Sequence, residues 1–400
     1  MHGITRRRLL QSLAAGSLLE AAGARAASGK PSSEAKGWER KALDYSIERT
    51  RRNLDLKGFP ELAKNGRWTI VEDGDWVGGH WTGLLWLSYA HTRDPLLRQA
   101  ASEWTARLTP RQHDTSTHDL GFLFELSHVL GAGLLKDKAL KAPAVRAARS
   151  LSERYNDKGR FIRAQGPLDS DFRRGRAIID TMMNLYLLYW AGRETGDAAF
   201  ARIADSHAGT ALARQVRDDW STAQTMEFDP DTGEFLASGT YQGFSATSCW
   251  SRGQAWAVHG YTDSFRWSRD PRFLDAARNL AGYMLRRLPP DRVAYWDFDS
   301  PLIPDDFRDS SAASILASGL LNLASVETES RSASRWRSGA LAILESLWEN
   351  YSSRGTDEPS ILIHGTRSKP HNFVDQGLIY GDYYFVEALT RHLAPEKLPL

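Results

Sequence analysis

One kind of segment recurs along this chain. A short polar and aromatic stretch leads into a helix apolar on nearly every face, then a tight turn, then an amphipathic helix. Gly79-His80-Trp81-Thr82-Gly83-Leu84-Leu85-Trp86 runs to Thr92-Arg93-Asp94-Pro95, and Asp180-Thr181-Met182-Met183-Asn184-Leu185 runs to Thr195-Gly196-Asp197. Arg252-Gly253-Gln254-Ala255-Trp256-Ala257 runs to Ser268-Arg269-Asp270-Pro271, and Asp309-Ser310-Ser311-Ala312 runs to Glu327-Thr328-Glu329-Ser330. In Asp94-Pro95 and Asp270-Pro271, Asp is a natural cap and Pro suits the first helical position. A helix apolar all round has to be enclosed by other helices. Two further segments of this type start near His118 and Gln376, so about six inner helices alternate with about six outer ones, a weak repeat of stacked hairpins. The expected fold is all-α, a single-domain (α/α)6 toroid of six helical hairpins, with no convincing run of alternating strands.

In such a toroid the inner helices run in one direction and their N-termini gather at one mouth. Long connections precede them, at 55–79, 159–175, 217–251, 289–308 and 355–375, while short turns close the other end. Long loops in a compact domain carry function more often than filler, and converging helix N-termini favour an anion.

The N-terminus stands apart from this pattern. Thr5-Arg6-Arg7-Arg8-Leu9-Leu10-Gln11 is a twin-arginine-type start, followed by an apolar run to Leu19 and a small-residue cleavage site at Ala24-Arg25-Ala26. A signal peptide over 1–26, a linker over 27–36 and the toroid over 37–400 are expected, with export to the periplasm. The apolar run is too short for a membrane span of about 20 residues. Lys and Arg number 51 against 49 Asp and Glu, and the basic residues are scattered, so no nucleic-acid footprint is seen. Cys249 is the only cysteine, which excludes an intramolecular disulfide. Nothing in the composition decides the oligomeric state.

The stretch from Arg176 to Trp190 reads as one helix, almost wholly apolar, with Asp180 near its start. An ionised carboxylate there costs several kcal/mol unless paired or protonated, which makes Asp180 a candidate proton donor. The mouth also collects Trp76, His80, Trp81, His118, Asp119, Trp250, Arg252 and Asp309. Neighbouring carboxylates, an arginine, a histidine and several tryptophans suit an acidic sugar: Arg pairs with a carboxylate, and neighbouring carboxylates raise one another's proton affinity. Asp119 and Asp309 are also plausible helix caps, Asp309 more so, and Trp86, Trp190 and Trp256 fall at core spacing. Asp229-Pro230-Asp231-Thr232-Gly233 is a turn by composition. The histidines lack zinc spacing and no acidic loop fits calcium or magnesium, so no metal is expected.

From Trp68 to Leu389 the chain resembles the unsaturated glucuronyl hydrolases, glycoside hydrolase family 88. The resemblance rests on Trp81-Thr82-Gly83-Leu84-Leu85-Trp86-Leu87, His118-Asp119-Leu120-Gly121-Phe122 and Ile178-Ile179-Asp180 with Met183-Asn184-Leu185. It continues through Gln242-Gly243, Trp250-Ser251-Arg252-Gly253-Gln254-Ala255-Trp256, Tyr295-Trp296-Asp297-Phe298, Asp309-Ser310-Ser311-Ala312 and Gly381-Asp382-Tyr383-Tyr384-Phe385. It implies that Asp180 is the general acid/base and Asp119 the second essential aspartate. It further implies that Gln242, Arg252 and Trp256 hold an unsaturated uronate, with His118 and Trp76 near the same subsite. Gln224 and Tyr241 depart from it, standing where relatives carry histidines that contact substrate.

The implied substrate is an oligosaccharide whose terminal uronate bears a C4=C5 double bond left by a lyase. The implied reaction is hydration of that vinyl ether without a cofactor, so the carboxylate-spacing rule for ordinary glycosidases does not apply. An unsaturated rhamnogalacturonyl hydrolase would share the toroid and the chemistry. A sugar 2-epimerase would want paired histidines at the mouth. An exported binder of acidic glycans would explain the aromatics and Arg252 but not the buried acid. The parent polysaccharide, the leaving sugar and its sulfation are open on the sequence alone.

Overall fold

The structure, a computed structural model, describes residues 37–400. The expected signal peptide and linker therefore lie outside the described residues. In chain order the elements begin with α1 (Trp38–Arg52), β1 (Phe59–Lys64), β2 (Arg67–Val71), α2 (Gly78–Thr92) and α3 (Pro95–Leu108). Next come α4 (Leu120–Phe124), a π-helical turn (Glu125–Val129), α5 (Leu130–Leu135), α6 (Lys141–Ser152), β3 (Tyr155–Asn156), β4 (Phe161–Ile162) and β5 (Arg176–Ile178). Then follow α7 (Thr181–Thr195), α8 (Ala198–Arg214), β6 (Thr225–Phe228), β7 (Phe235–Gly239), α9 (Ser251–Ser268) and α10 (Pro271–Arg287). The last are α11 (Ser310–Val326), α12 (Ser330–Asn350), β8 (Gly377–Leu378) and α13 (Ile379–Leu393).

With α4, the π-turn and α5 counted as one rod, the helices alternate outer and inner as the pattern predicts. The inner rods α2, α4–α5, α7, α9, α11 and α13 each pack on the next, and α13 returns to α2 to close the ring. This is the (α/α)6 toroid. Met182 to Ala191 of α7 and Ser310 to Ala324 of α11 are buried without a break, as an enclosed helix requires. The closed end is made by tight turns with caps. Asp94, Asp197 and Asp270 each accept the backbone N–H two residues on, and Arg93, Gly196 and Arg269 supply the left-handed residue that ends the preceding helix.

The expectation of no strands is corrected. Three small antiparallel sheets, β2-β1-β8, β3-β4 and β5-β6-β7, occupy the long connections at the mouth. Strands of two to six residues are too short to show alternation. One of them had a local signal: Asn65-Gly66 joins β1 to β2 with both residues at positive φ (55° and 74°), as a two-residue hairpin turn demands. The turn at 229–233 is present as expected, between β6 and β7, with Asp229 accepting the N–H groups of Asp231 and Thr232.

The C-terminal halves of the inner helices hold a buried polar knot that apolar periodicity does not reveal. Glu387 accepts from Arg391 Nε (2.8 Å) and Ser318 Oγ (2.7 Å), while Asp263 meets His259 Nδ1 (3.0 Å) and accepts from Asn322 (2.8 Å). Such groups are tolerated in a core because each has a partner. The knot extends from the middle of the rods toward their C-terminal ends, away from the mouth.

Candidate active site

Strand β5 delivers the chain to Asp180, and β5 pairs with β6 through Ala177↔Met226 and Ile178↔Thr225. The helix therefore begins at Thr181, and the expectation that Asp180 lies inside a helix is corrected: it stands at the junction of strand and helix. A short apolar run such as Ala177-Ile178-Ile179 has the same hydropathy in either state, so periodicity misassigned it. The consequence for the side chain survives. Asp180 makes no capping hydrogen bond, and its Oδ2 is buried without a partner. Burial, reinforced by the negative charge of Asp119 and opposed by Arg252, pushes its pKa up to about 7.

Asp180 and Asp119 line one cavity of about 390 Å³, within the usual range for a small-molecule site. Asp119 stands at the start of α4 but does not cap it. Its Oδ2 accepts from Thr117 Oγ1 (2.8 Å) and its Oδ1 lies 3.3 Å from His118 Nε2. Burial raises its pKa to about 6, against the opposing pull of Thr117 and Arg154. His118 is buried, keeps a neutral ring with its pKa driven down to about 3, and meets Thr181 Oγ1 through Nδ1 at 2.7 Å. It thereby ties the Asp119 loop to the first turn of the Asp180 helix. Trp76 is half-buried on the cavity wall, its indole 4.8 Å from the ring of Tyr380.

Arg252 is on the wall too, but most of its guanidinium is committed to protein. Nη1 donates to Asp309 Oδ2 (2.6 Å) and to the Thr366 carbonyl (2.6 Å), Nη2 donates to the Arg367 carbonyl, and the group lies between the rings of Trp250 and Tyr380. With five donors on the fork, an edge is left for a ligand. Asp309 caps α11 as expected, accepting the N–H groups of Ser311 and Ala312 through Oδ1, and pairs with Arg252 through its other oxygen. Gln242 reaches the cavity between Gln224, from which its Oε1 accepts, and the Arg367 carbonyl, to which its Nε2 donates at 3.1 Å.

Other candidates are not brought to the cavity. Trp256 is fully buried one turn along α9 from Arg252, packed on Phe122 and Tyr384, as the core spacing of its position predicts. His80 sits within a buried aromatic cluster of Trp76, Phe122 and Tyr380, and Trp81 packs edge-on against Trp104. Gln224 is buried beneath the 240–242 turn, whereas Tyr241 does face the cavity.

The sequence reading missed Asp75, Gln165, Arg367, Ser368, His371 and Phe373, all of which line the cavity. The last four come from the 355–375 connection, whose length marked it as a mouth loop although none of its residues carried a recognisable spacing. Arg367 is held there by Glu61 of β1 at 2.6 Å, a pairing across most of the chain. Among the described residues no group of three or more His, Cys, Asp or Glu side chains is placed to hold a metal ion.

The glycosyl hydrolase family 88 model matches residues 45–299. The unsaturated glucuronyl hydrolase of Bacillus sp. (strain GL1) is 36% identical over 363 residues, covering 88% of this chain and 96% of that protein. The unsaturated chondroitin disaccharide hydrolase of Streptococcus pyogenes serotype M1 is 34% identical over 362 residues, covering 88% and 90%. Among solved structures, the unsaturated glucuronyl hydrolase from Bacillus sp. GL1 superposes with a TM-score of 0.86 at 34% identity, covering 89% of this chain and 97% of that one. An unsaturated glucuronyl hydrolase specific for heparin superposes with a TM-score of 0.84 at 30% identity, covering 91% and 99%. A toroid closed by α13 on α2, with paired aspartates at its mouth and this likeness along most of its length, belongs to glycosyl hydrolase family 88.

Proposed function

We propose that this glycosidase releases the unsaturated 4-deoxyuronate from the non-reducing end of lyase-generated oligosaccharides by hydrating its C4=C5 vinyl ether. The observation that carries the reading is the Asp180 carboxyl, poised near neutrality on the cavity wall with one oxygen unpartnered. A carboxylic acid with a pKa near the working pH is suited to give and take a proton. Asp180 delivers its proton to C4, the π electrons form the C4–H bond, and the ring oxygen stabilises the cation left at C5. Water adds at C5 and loses a proton to the carboxylate. The hemiketal then opens at the C5–O5 bond, leaving a ketone at C5 and a hemiacetal at C1, which expels the leaving sugar as an alcohol. Asp119, whose charge favours the cation and whose oxygens can hold the water, completes the acid–base pair. Gln242 and the free edge of Arg252 are suited to the uronate carboxylate, and Trp76 to a ring face.

The positions of solvent atoms test this route. In deuterated water the released uronate-derived product is expected to carry deuterium at C4, and in ¹⁸O-water the label is expected at C5, both read by mass spectrometry and NMR. A saturated glucuronide is expected to resist cleavage. Label at the anomeric carbon, or efficient cleavage of the saturated analogue, would assign conventional glycoside hydrolysis to the same cavity.

We further propose export through the twin-arginine-type start at Thr5 to Gln11. No helix among the described residues is long and apolar enough to cross a membrane. A chain beginning at Gly37 is expected to keep the full kcat and thermal midpoint of the complete chain. A soluble, folded and inactive product would place the 27–36 segment in the site.

A further inference from the structure

We infer that Gln224 is a positioning residue: it fixes which end of the Gln242 amide faces the cavity, and it couples that amide to the backbone beside Asp180. The inference rests on Gln242 being part of the sugar site.

The orientation of both amides is forced from the ends of the chain of hydrogen bonds. Gln224 Oε1 faces three donors, Thr240 Oγ1 (2.8 Å) and the backbone N–H groups of Tyr241 (2.8 Å) and Gln242 (2.9 Å). Two of these are backbone amides, so the atom meeting them has to be the oxygen. The Gln224 Nε2 then points at Gln242, 2.5 Å away, and what it meets there has to accept, so this is Gln242 Oε1. Gln242 Nε2 is left to face the Arg367 carbonyl, which can only accept. No amide in this chain can be reversed without setting two acceptors against each other. The Gln242 side chain is thus locked with its N–H₂ group toward the 367 loop, and one of its two N–H bonds remains for a ligand.

The same residue reaches the acid through its main chain. The Gln224 carbonyl accepts from the Ile179 N–H (2.9 Å) and from Gln215 Nε2 (2.8 Å). Ile179 immediately precedes Asp180, so one buried residue spaces the proton donor and the amide. Arg252 Nη2 donates to the same Arg367 carbonyl that Gln242 uses, which extends the lock to the arginine. Its burial and its absence from the cavity wall show that Gln224 does this without touching substrate.

The test is a double-mutant cycle. Gln224→Glu keeps an acceptor for the three turn donors but sets a carboxylate oxygen against Gln242 Oε1, so the Gln242 amide has to turn over. With a lyase-generated unsaturated disaccharide, Q224E is expected to raise KM about tenfold with kcat within about threefold and an unchanged thermal midpoint. Contacting residues couple in such cycles whereas independent ones add. On a Q242A background, Q224E is therefore expected to change KM by less than about twofold. A similar KM increase on both backgrounds, or no KM change in the folded single variant, overturns the inference. If Q242A itself leaves KM unchanged, the assignment of Gln242 to the sugar site falls instead, and the positioning role falls with it. Should Q224E be poorly folded, Gln224→Asn, which keeps the amide but is one methylene too short, is read in the same cycle with the same outcomes.

Discussion

Replacing Asp180 with asparagine is expected to lower kcat by about 10²–10⁴-fold, the usual contribution of a positioned acid or base, while the protein folds normally. The amide matches the carboxyl in shape but has no proton to release. In the unchanged enzyme, kcat is expected to fall as pH rises past about 7, where the acid form is lost. That limb should be missing from the residual activity of the variant. Stability moves in the opposite sense. The folded pKa of Asp180 lies above its unfolded value near 3.8, so the native state holds the proton more tightly. Stability associated with this group is present below about pH 4 and is lost as pH rises toward about 7. Asp180→Asn removes that loss, so its thermal midpoint is expected to exceed the parent's above pH 7 and to converge with it near pH 4. Near-normal turnover in the variant, or a retained basic limb, would remove Asp180 from the role of proton donor.

Arg252→Met is expected to cost about 3–5 kcal/mol of stability, because breaking one partner out of a buried ion pair leaves the other charge uncompensated. Arg252 and Asp309 are 2% and 0% exposed at the side chain, and the carbonyls of Thr366 and Arg367 lose a donor as well. The same change is expected to raise KM, through loss of the guanidinium edge and loosening of the 366–373 wall. It also removes a positive charge that lowers the Asp180 pKa, so the basic limb of kcat is expected to move to higher pH. Urea denaturation and a pH–rate profile read the two effects separately. Arg252→Lys keeps the charge but cannot span Asp309 and two carbonyls in a planar fork, so it is expected to hold the pH profile better than the stability. An unchanged denaturation midpoint in Arg252→Met would show that the clasp contributes nothing to the fold.

Both experiments bear on residues the sequence had already singled out, although it had described their surroundings less well. Asp180 was legible because a carboxyl beside an apolar run is costly wherever the chain goes, and that cost does not depend on whether the preceding residues are helix or strand. Asp309 was legible as a cap from Arg308-Asp309-Ser310-Ser311, but its second bond to Arg252 spans 57 residues and has no local signature. Trp256 illustrates the reverse. The motif around it pointed to the site and its core spacing pointed inward, and in the folded chain its ring is buried against Phe122 and Tyr384.

The toroid itself was written in local hydropathy. A helix apolar on every face must be enclosed, a capped turn must reverse the chain, and repeating the two leaves few architectures. The mouth was written only as loop length. Which residues meet there depends on pairings such as Glu61 with Arg367, and on carbonyls that face Gln242 and Arg252 only once the ring has closed. The raised pKa values of Asp180 and Asp119 belong to the same category, since the burial of both, and the charge of Asp119 beside Asp180, arise when α4 and α7 are packed side by side. The amino-acid sequence determined the helices, their inner or outer faces and the acid at the mouth, because these follow from the solvation of each residue among its chain neighbours. Only the tertiary structure decided the partners, orientations and proton affinities of the site, because these are set by groups distant along the chain that share one small cavity.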